Sequence, residues 1–207
     1  MELIAIGADP IVMSGTFCVE PKPTGDLVLA GIRQELRRAH LDGIRIVCSS
    51  EKNFTVRQTG IGITAMGLVP NTRISCGRCE QGDEVAAIGE PCVGREVVHG
   101  ERSKRIADTL DALKLRKLAC VHELIPVGSK GILYEANVLA GDSGLYFRPS
   151  EPQTVNLRKS AGPTTVLVVA LEEGSFPRIR RAVQKPVRRI GSLIARQQGL
   201  HMHRGQK

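Results

Sequence analysis

The residues best able to do chemistry form one turn, Pro126-Val127-Gly128-Ser129-Lys130-Gly131. Residues 120–126 before it are apolar and predict a strand. The helix predicted after it has Ile132, Leu133, Ala136, Leu139 and Ala140 on its inner stripe and Ser129 as its cap. Unpaired N–H groups and the dipole at a helix start favour an anion. Gly128 and Gly131 let the backbone approach a phosphate, and Ser129 and Lys130 add a hydroxyl and a positive charge. The spacing is not that of a P-loop. A phosphate cradle and a tight strand-to-helix connection account for the pattern equally well.

Acidic residues near element ends are the candidates for holding Mg²⁺ against a nucleotide, because that ion prefers carboxylate and phosphate oxygens. They are Glu2, Asp9, Glu51, Glu123 and Glu135. Glu51 lies in a polar turn, Ser49-Ser50-Glu51-Lys52-Asn53, and Glu123 in the strand that feeds the glycine turn. Cys76-Gly-Arg-Cys79 has the spacing of half a zinc or redox site. No second pair has matching spacing, and Cys92, His99, Cys120 and His122 could join only through folding, so Cys76 and Cys79 read as plain thiols in a linker. His40, His99 and His122 lack obvious partners for a nucleophilic triad.

Around these residues the pattern predicts alternating helices and strands. A helix end at 1–8 leads into a β-rich stretch at 11–19. Thr24 is expected to cap a helix to about His40 with Val28, Leu29, Ile32, Leu36 and Ala39 inward. Strands follow at 43–48 and 53–69. Residues 70–83 break both periodicities and suit a boundary. Beyond it come a strand at 84–89, a helix from Ser103 to about Leu118, an apolar strand at 164–171, a helix at 176–184 and a strand at 187–194. The units are a partial N-terminal domain (1–75), a linker (76–83), a C-terminal domain (84–195) and a basic tail (196–207).

Charge is unevenly placed. The net charge is +8, yet residues 174–207 hold nine Lys or Arg and no acid, leaving 20 basic against 21 acidic residues before them. A basic end can attract nucleic acid, but with no Trp, 2 Tyr and 4 Phe the chain has few rings for base stacking, so nucleic acid is not the expected partner. No apolar run reaches the roughly 20 residues of a membrane span. With no signal peptide evident and six cysteines, a soluble cytoplasmic protein with reduced thiols is expected.

The order of segments resembles that of the aminoimidazole ribonucleotide synthetase superfamily. LIAIGADP (3–10) is similar to its "DLxAMGAxP" segment, and TGDLVLAGIRQELRRA to its first-domain helix. SSEKN and TGIGITAMGLV resemble its polar turn and following strand, and GDEVAAIGEPCVGREV the opening of its second domain. HELIPVGSKGILYEANVLAGDSGL resembles its strand, glycine loop and helix, and SAGPTTVLVVALEEG and PVRRIGSLI its closing strands. The wording PVGSKGIxxEANxLAxxSGL is most similar to the synthetase-related branch that includes α-ribazole kinase, an enzyme of cobamide (cobalamin) biosynthesis.

This resemblance implies an α/β (α+β) two-part architecture, a β-rich N-terminal domain forming a homodimer, and ATP with Mg²⁺ between the domains. It implies phosphate contact at Gly128, Ser129, Lys130 and Gly131, and metal contact at Glu2, Asp9 and Glu51. Glu123 is a further acidic candidate, nearest to the family's second-domain aspartate. The implied activity is that of an ATP-dependent small-molecule kinase or synthetase acting on α-ribazole. Selenophosphate synthetase- or thiamine monophosphate kinase-like activity is an alternative. The family's upstream glycine-and-aspartate segment has no counterpart before Met1, and Glu2 replaces an aspartate. A truncated, non-catalytic module is therefore the competing expectation.

Overall fold

The computed structural model describes residues 1–196. They form two sheets. The first has order β2-β1-β3, made of β1 (Asp9–Cys18), β2 (Arg45–Ser50) and β3 (Gly60–Leu68). α1 (Glu2–Ala5) precedes β1, and α2 (Asp26–Arg38) carries the chain from β1 to the parallel strand β2. β3 returns antiparallel to β1. One face of this sheet looks toward α2 across a groove lined by Met13, Ile32, Leu36, Ile44, Ile63 and Ala65. On the opposite face Ser14, Thr16, Val47, Thr64 and Met66 are exposed.

The second sheet is antiparallel, with order β5-β7-β4-β8-β6. Its strands are β4 (Glu84–Gly89), β5 (Val121–Pro126), β6 (Leu145–Pro149), β7 (Val166–Leu171) and β8 (Val187–Ala195). Its helices are α3 (Arg95–Arg102), α4 (Thr109–Arg116), α5 (Ile132–Asp142) and α6 (Phe176–Ala182). Every residue of β4 and β7 is buried. The two-residue period of a strand explains why both faces must be apolar. Val166, Val168 and Ala170 pack with Ile132, Ala136 and Leu139 of α5, while Leu167, Val169 and Leu171 pack with Ala112, Leu115 and Ile179 on the other side. Ile4 and Ala5 of α1 join that second cluster, so the first helix is held by the second sheet.

Several expected boundaries move. Residues 53–59 lie outside β3, which is confined to Gly60–Leu68. Thr24 does not cap α2; its backbone N–H and hydroxyl both go to the Glu20 carboxylate, and Gly25 holds the cap position. Ser103 ends a helix rather than starting one, donating its hydroxyl to the His99 carbonyl at 2.7 Å. The helix predicted from Ser103 starts instead at Asp108, which exchanges bonds with Asp111 in a capping box. Its buried residues are Asp111, Ala112 and Leu115 rather than Ile106, Leu110 and Leu113. α3 and β6 were not predicted. Residues 197–207 of the basic tail lie outside the described residues.

Candidate functional site

The glycine turn is built where β5 leaves the sheet. The Val127 N–H still bonds to Val166 of β7 at 2.9 Å, and the chain turns after it. Gly131 caps α5 with φ +85°, a conformation that side chains resist. A Cβ there would stand 2.9 Å from the Lys159 carbonyl oxygen, so glycine is needed for close approach as well. The segment 157–161 lies along the turn, with Leu133 N–H bonding to Leu157 at 2.8 Å and Ala161 N–H to Gly128 at 3.2 Å. One first-turn donor of α5 is thereby satisfied within the protein. Ser129 makes no cap, because Gly131 occupies that position without a side-chain bond.

Ser129 and Lys130 are instead exposed. The Lys130 ammonium lies 4.1 Å from the centre of the Tyr134 ring, a cation–π contact that holds the charge beside the helix start. Gly128 leaves room on its open face, where an added Cβ would approach only the Glu135 carboxylate, at 3.6 Å. Partial desolvation pushes the Glu2 carboxyl up, with the N-terminal ammonium opposing and Glu135 adding to the shift. One carboxylate, that of Glu135, flanks the turn.

The other acidic candidates are engaged elsewhere. Asp9 accepts from Arg73 at 2.7 Å and from Arg116 at 3.4 Å, and the Arg73 bond leads in holding its carboxyl below the usual range. Glu51 folds back on its own turn, accepting from the N–H groups of Lys52 and Asn53 at 2.8 and 2.6 Å. Its own N–H reaches Phe17, eight residues along β1 from Asp9. At roughly 3.3 Å per residue that is about 26 Å. Asp9 and Glu51 thus do not converge within one chain.

Glu123 belongs to a separate cluster. Buried on β5, it accepts from Gly77 N–H at 3.0 Å and Arg78 N–H at 3.3 Å, and the Cys79 thiol stands 3.5 Å from it. Asp142, at the end of α5, is 3.7 Å from the Cys76 sulfur. Burial pushes Glu123 up, and nearby Asp142 adds to the shift. The segment 76–83 is therefore folded onto the second sheet, with Cys79 N–H held by Ser143 at 3.0 Å and Asp83 by His122 at 2.8 Å. Asp142 and Ser143 had no sequence signal beyond their place in the loop Gly141-Asp142-Ser143-Gly144. Cys120 packs in the apolar core, and Cys92 lines a recess with His99 and Lys159.

Beside Glu2, the groove under the first sheet encloses about 500 Å³ and is mostly apolar. It falls within the size range of small-molecule sites.

No protein-family model and no curated protein matches the chain. Solved structures do match. The Escherichia coli hydrogenase maturation protein HypE superposes with TM-score 0.69 and 18% identity, covering 94% of this chain and 70% of that one. Thiamine-monophosphate kinase from Stenotrophomonas maltophilia gives 0.63 and 16%, over 94% of this chain and 72% of its own. Thermotoga maritima PurL complexed with ATP gives 0.61 and 15%, over 94% of this chain and 35% of PurL. The two-sheet architecture is thus the fold also seen in HypE, thiamine-monophosphate kinase and PurL.

Proposed function

We propose that this chain is an ATP-dependent small-molecule kinase or synthetase whose Gly128–Gly131 turn receives phosphate. The observation that carries the reading is the exposed Ser129 and Lys130 at the start of α5, beside the open face of Gly128. ATP fits this turn because it offers a hydroxyl, a fixed ammonium and a helix start. The solved structures of HypE and PurL with ATP support the reading at the level of the fold. Phosphoryl transfer asks mainly for positioning and charge neutralisation. Ser129 and Lys130 orient and neutralise the phosphate, while nearby Lys159 is occupied by its ion pair with Glu96 at 2.7 Å.

Mg²⁺ belongs to the proposal through Glu135, beside Gly128, with Glu2, Asp9 and Glu51 as the further acids of the same reading. The groove beside Glu2 is the place for the acceptor, and α-ribazole is the first acceptor to test, followed by thiamine monophosphate and selenide. The exposed face of the first sheet makes it the homodimer surface of this proposal. The test is ATP consumption coupled to phosphorylation of α-ribazole. Product formation abolished by Lys130→Ala supports the assignment, and undiminished turnover in that variant refutes it.

A second reading has a specific observation behind it. Asp9 is neutralised by two arginines and Glu51 by its own turn, so two expected metal ligands serve structure. A module that binds ATP without turning it over fits those contacts, and ATP binding without product formation for any acceptor distinguishes it.

A further inference from the structure

We propose that Cys76, Cys79, Glu123 and Asp142 form a binding site for a thiophilic divalent cation, Zn²⁺ or a close relative, that staples the segment 76–83 to the second sheet. The sequence offers only half a zinc site; the fold supplies the other half from β5 and the end of α5. The Cys76 sulfur and the Glu123 and Asp142 oxygens all lie within 4.8 Å of one another. The Cys79 sulfur adjoins the same Glu123 oxygen at 3.5 Å, and Cys76 adjoins Asp142 at 3.7 Å.

Two of these separations, Cys79 to Glu123 and Cys76 to Asp142, have the length of an edge of a metal tetrahedron. Zn–S of about 2.3 Å and Zn–O of about 2.0 Å at the tetrahedral angle give a sulfur–oxygen edge of about 3.5 Å. Two thiols select a soft or borderline cation over Mg²⁺ or Ca²⁺, and two carboxylates complete a neutralising set. Gly77, with φ +69°, lets the C-x-x-C loop fold tightly enough to present both sulfurs to one carboxylate.

Charge points the same way. Two carboxylates stand against two thiols, and the guanidinium of Arg78, inside the loop, is engaged by the Thr72 carbonyl at 2.9 Å. A cation entering the cluster displaces protons from the thiols and from any protonated carboxyl. The His122–Asp83 pair holds the far end of the segment, where Asp83 also accepts from Glu80 N–H at 2.8 Å. The site is separate from the glycine turn, which lies at the other end of the 11-residue α5, about 16 Å away at 1.5 Å per residue. The competing account is a pair of thiol–carboxylate hydrogen bonds with no affinity for metal.

The experiment uses the full chain, reduced with a phosphine and stripped with a chelator, then titrated with Zn²⁺ against a chromophoric competitor and separately with Co²⁺. One equivalent of tight Zn²⁺ is expected, with Co²⁺ giving a thiolate-to-metal absorption band in the near ultraviolet. Cys76→Ser with Cys79→Ser should abolish both signals. Asp142→Asn, at an exposed position that spares the fold, should weaken Zn²⁺ by at least about tenfold. ATP binding should be unchanged in Asp142→Asn, which separates this site from the proposed nucleotide turn. Absence of Zn²⁺ binding, Co²⁺ binding without the thiolate band, or full binding by the double serine variant (as the histidines at 201 and 203 would give) overturns the proposal.

Discussion

The two sheets bury their residues to opposite degrees. In the five-stranded sheet the neighbouring interior strands β7 and β4 are wholly buried between helices. In the three-stranded sheet β3 has no buried residue, and Ile61, Ile63, Met66 and Leu68 are each more than half exposed. The first unit has one long helix standing off across a groove, and the second has helices packed on both faces. The difference teaches that the apolar packing is concentrated in the second sheet, while much of the first stands in solvent. That α1 is anchored in the core of the second sheet explains how the smaller sheet is held in place at all.

The largest effect that would break this comparison is in the core. Leu167→Ala, at a fully buried position, should cost about 2–5 kcal/mol in urea unfolding. Ile63→Ala should cost about 0.5 kcal/mol when the protein is dilute. Equal costs would mean that the first sheet is packed after all.

Next in size is assembly. If the face opposite α2 is covered by a second copy, equilibrium sedimentation should show a dimer, and Val47→Lys with Met66→Lys should shift it to monomer. A wild-type chain that stays monomeric at tens of micromolar removes the dimer from the account.

The smallest effect concerns the link between the units. Asp9 joins Arg73, beyond β3, to Arg116 of α4. Its depressed titration means that the ion pair stabilises the protein above the ordinary aspartate range, and that this contribution is lost as pH falls through the lowered value. Because the pair is exposed, Asp9→Asn should cost at most about 1 kcal/mol at pH 7. Wild type and variant should converge in stability as pH falls below the ordinary aspartate range. A difference that grows on acidification would contradict the assignment.

The fold was legible where one strong signal dominated. β4 was read at its observed limits, and the stripe Ile132, Ala136, Leu139, Ala140 of α5 proved to be its buried face. Caps were misread wherever two polar residues competed. Ser103 and Asp108 both suit a helix start, and only the reciprocal bond from Asp111 decides for the second. β6 escaped notice because Leu-Tyr-Phe-Arg-Pro is short and alternates only weakly. At the candidate site the turn was legible because its chemistry is contiguous. The Cys76–Asp142 contact was not, since 66 residues separate its members and no periodicity spans that distance. Nor could sequence show that Asp9 would be claimed by Arg73 and Arg116 while Glu135 came to stand beside Gly128.

The central claim is that Gly128–Gly131 receives the phosphates of ATP, and calorimetric titration with ATP and Mg²⁺ tests it most directly. Wild-type protein should bind, and Lys130→Ala should bind at least about tenfold more weakly, as expected for one lost charge-assisted bond of about 1.5–3 kcal/mol. Its unfolding curve should be unchanged. Undetectable binding by the wild type, or equal affinity in the two proteins, would contradict the account.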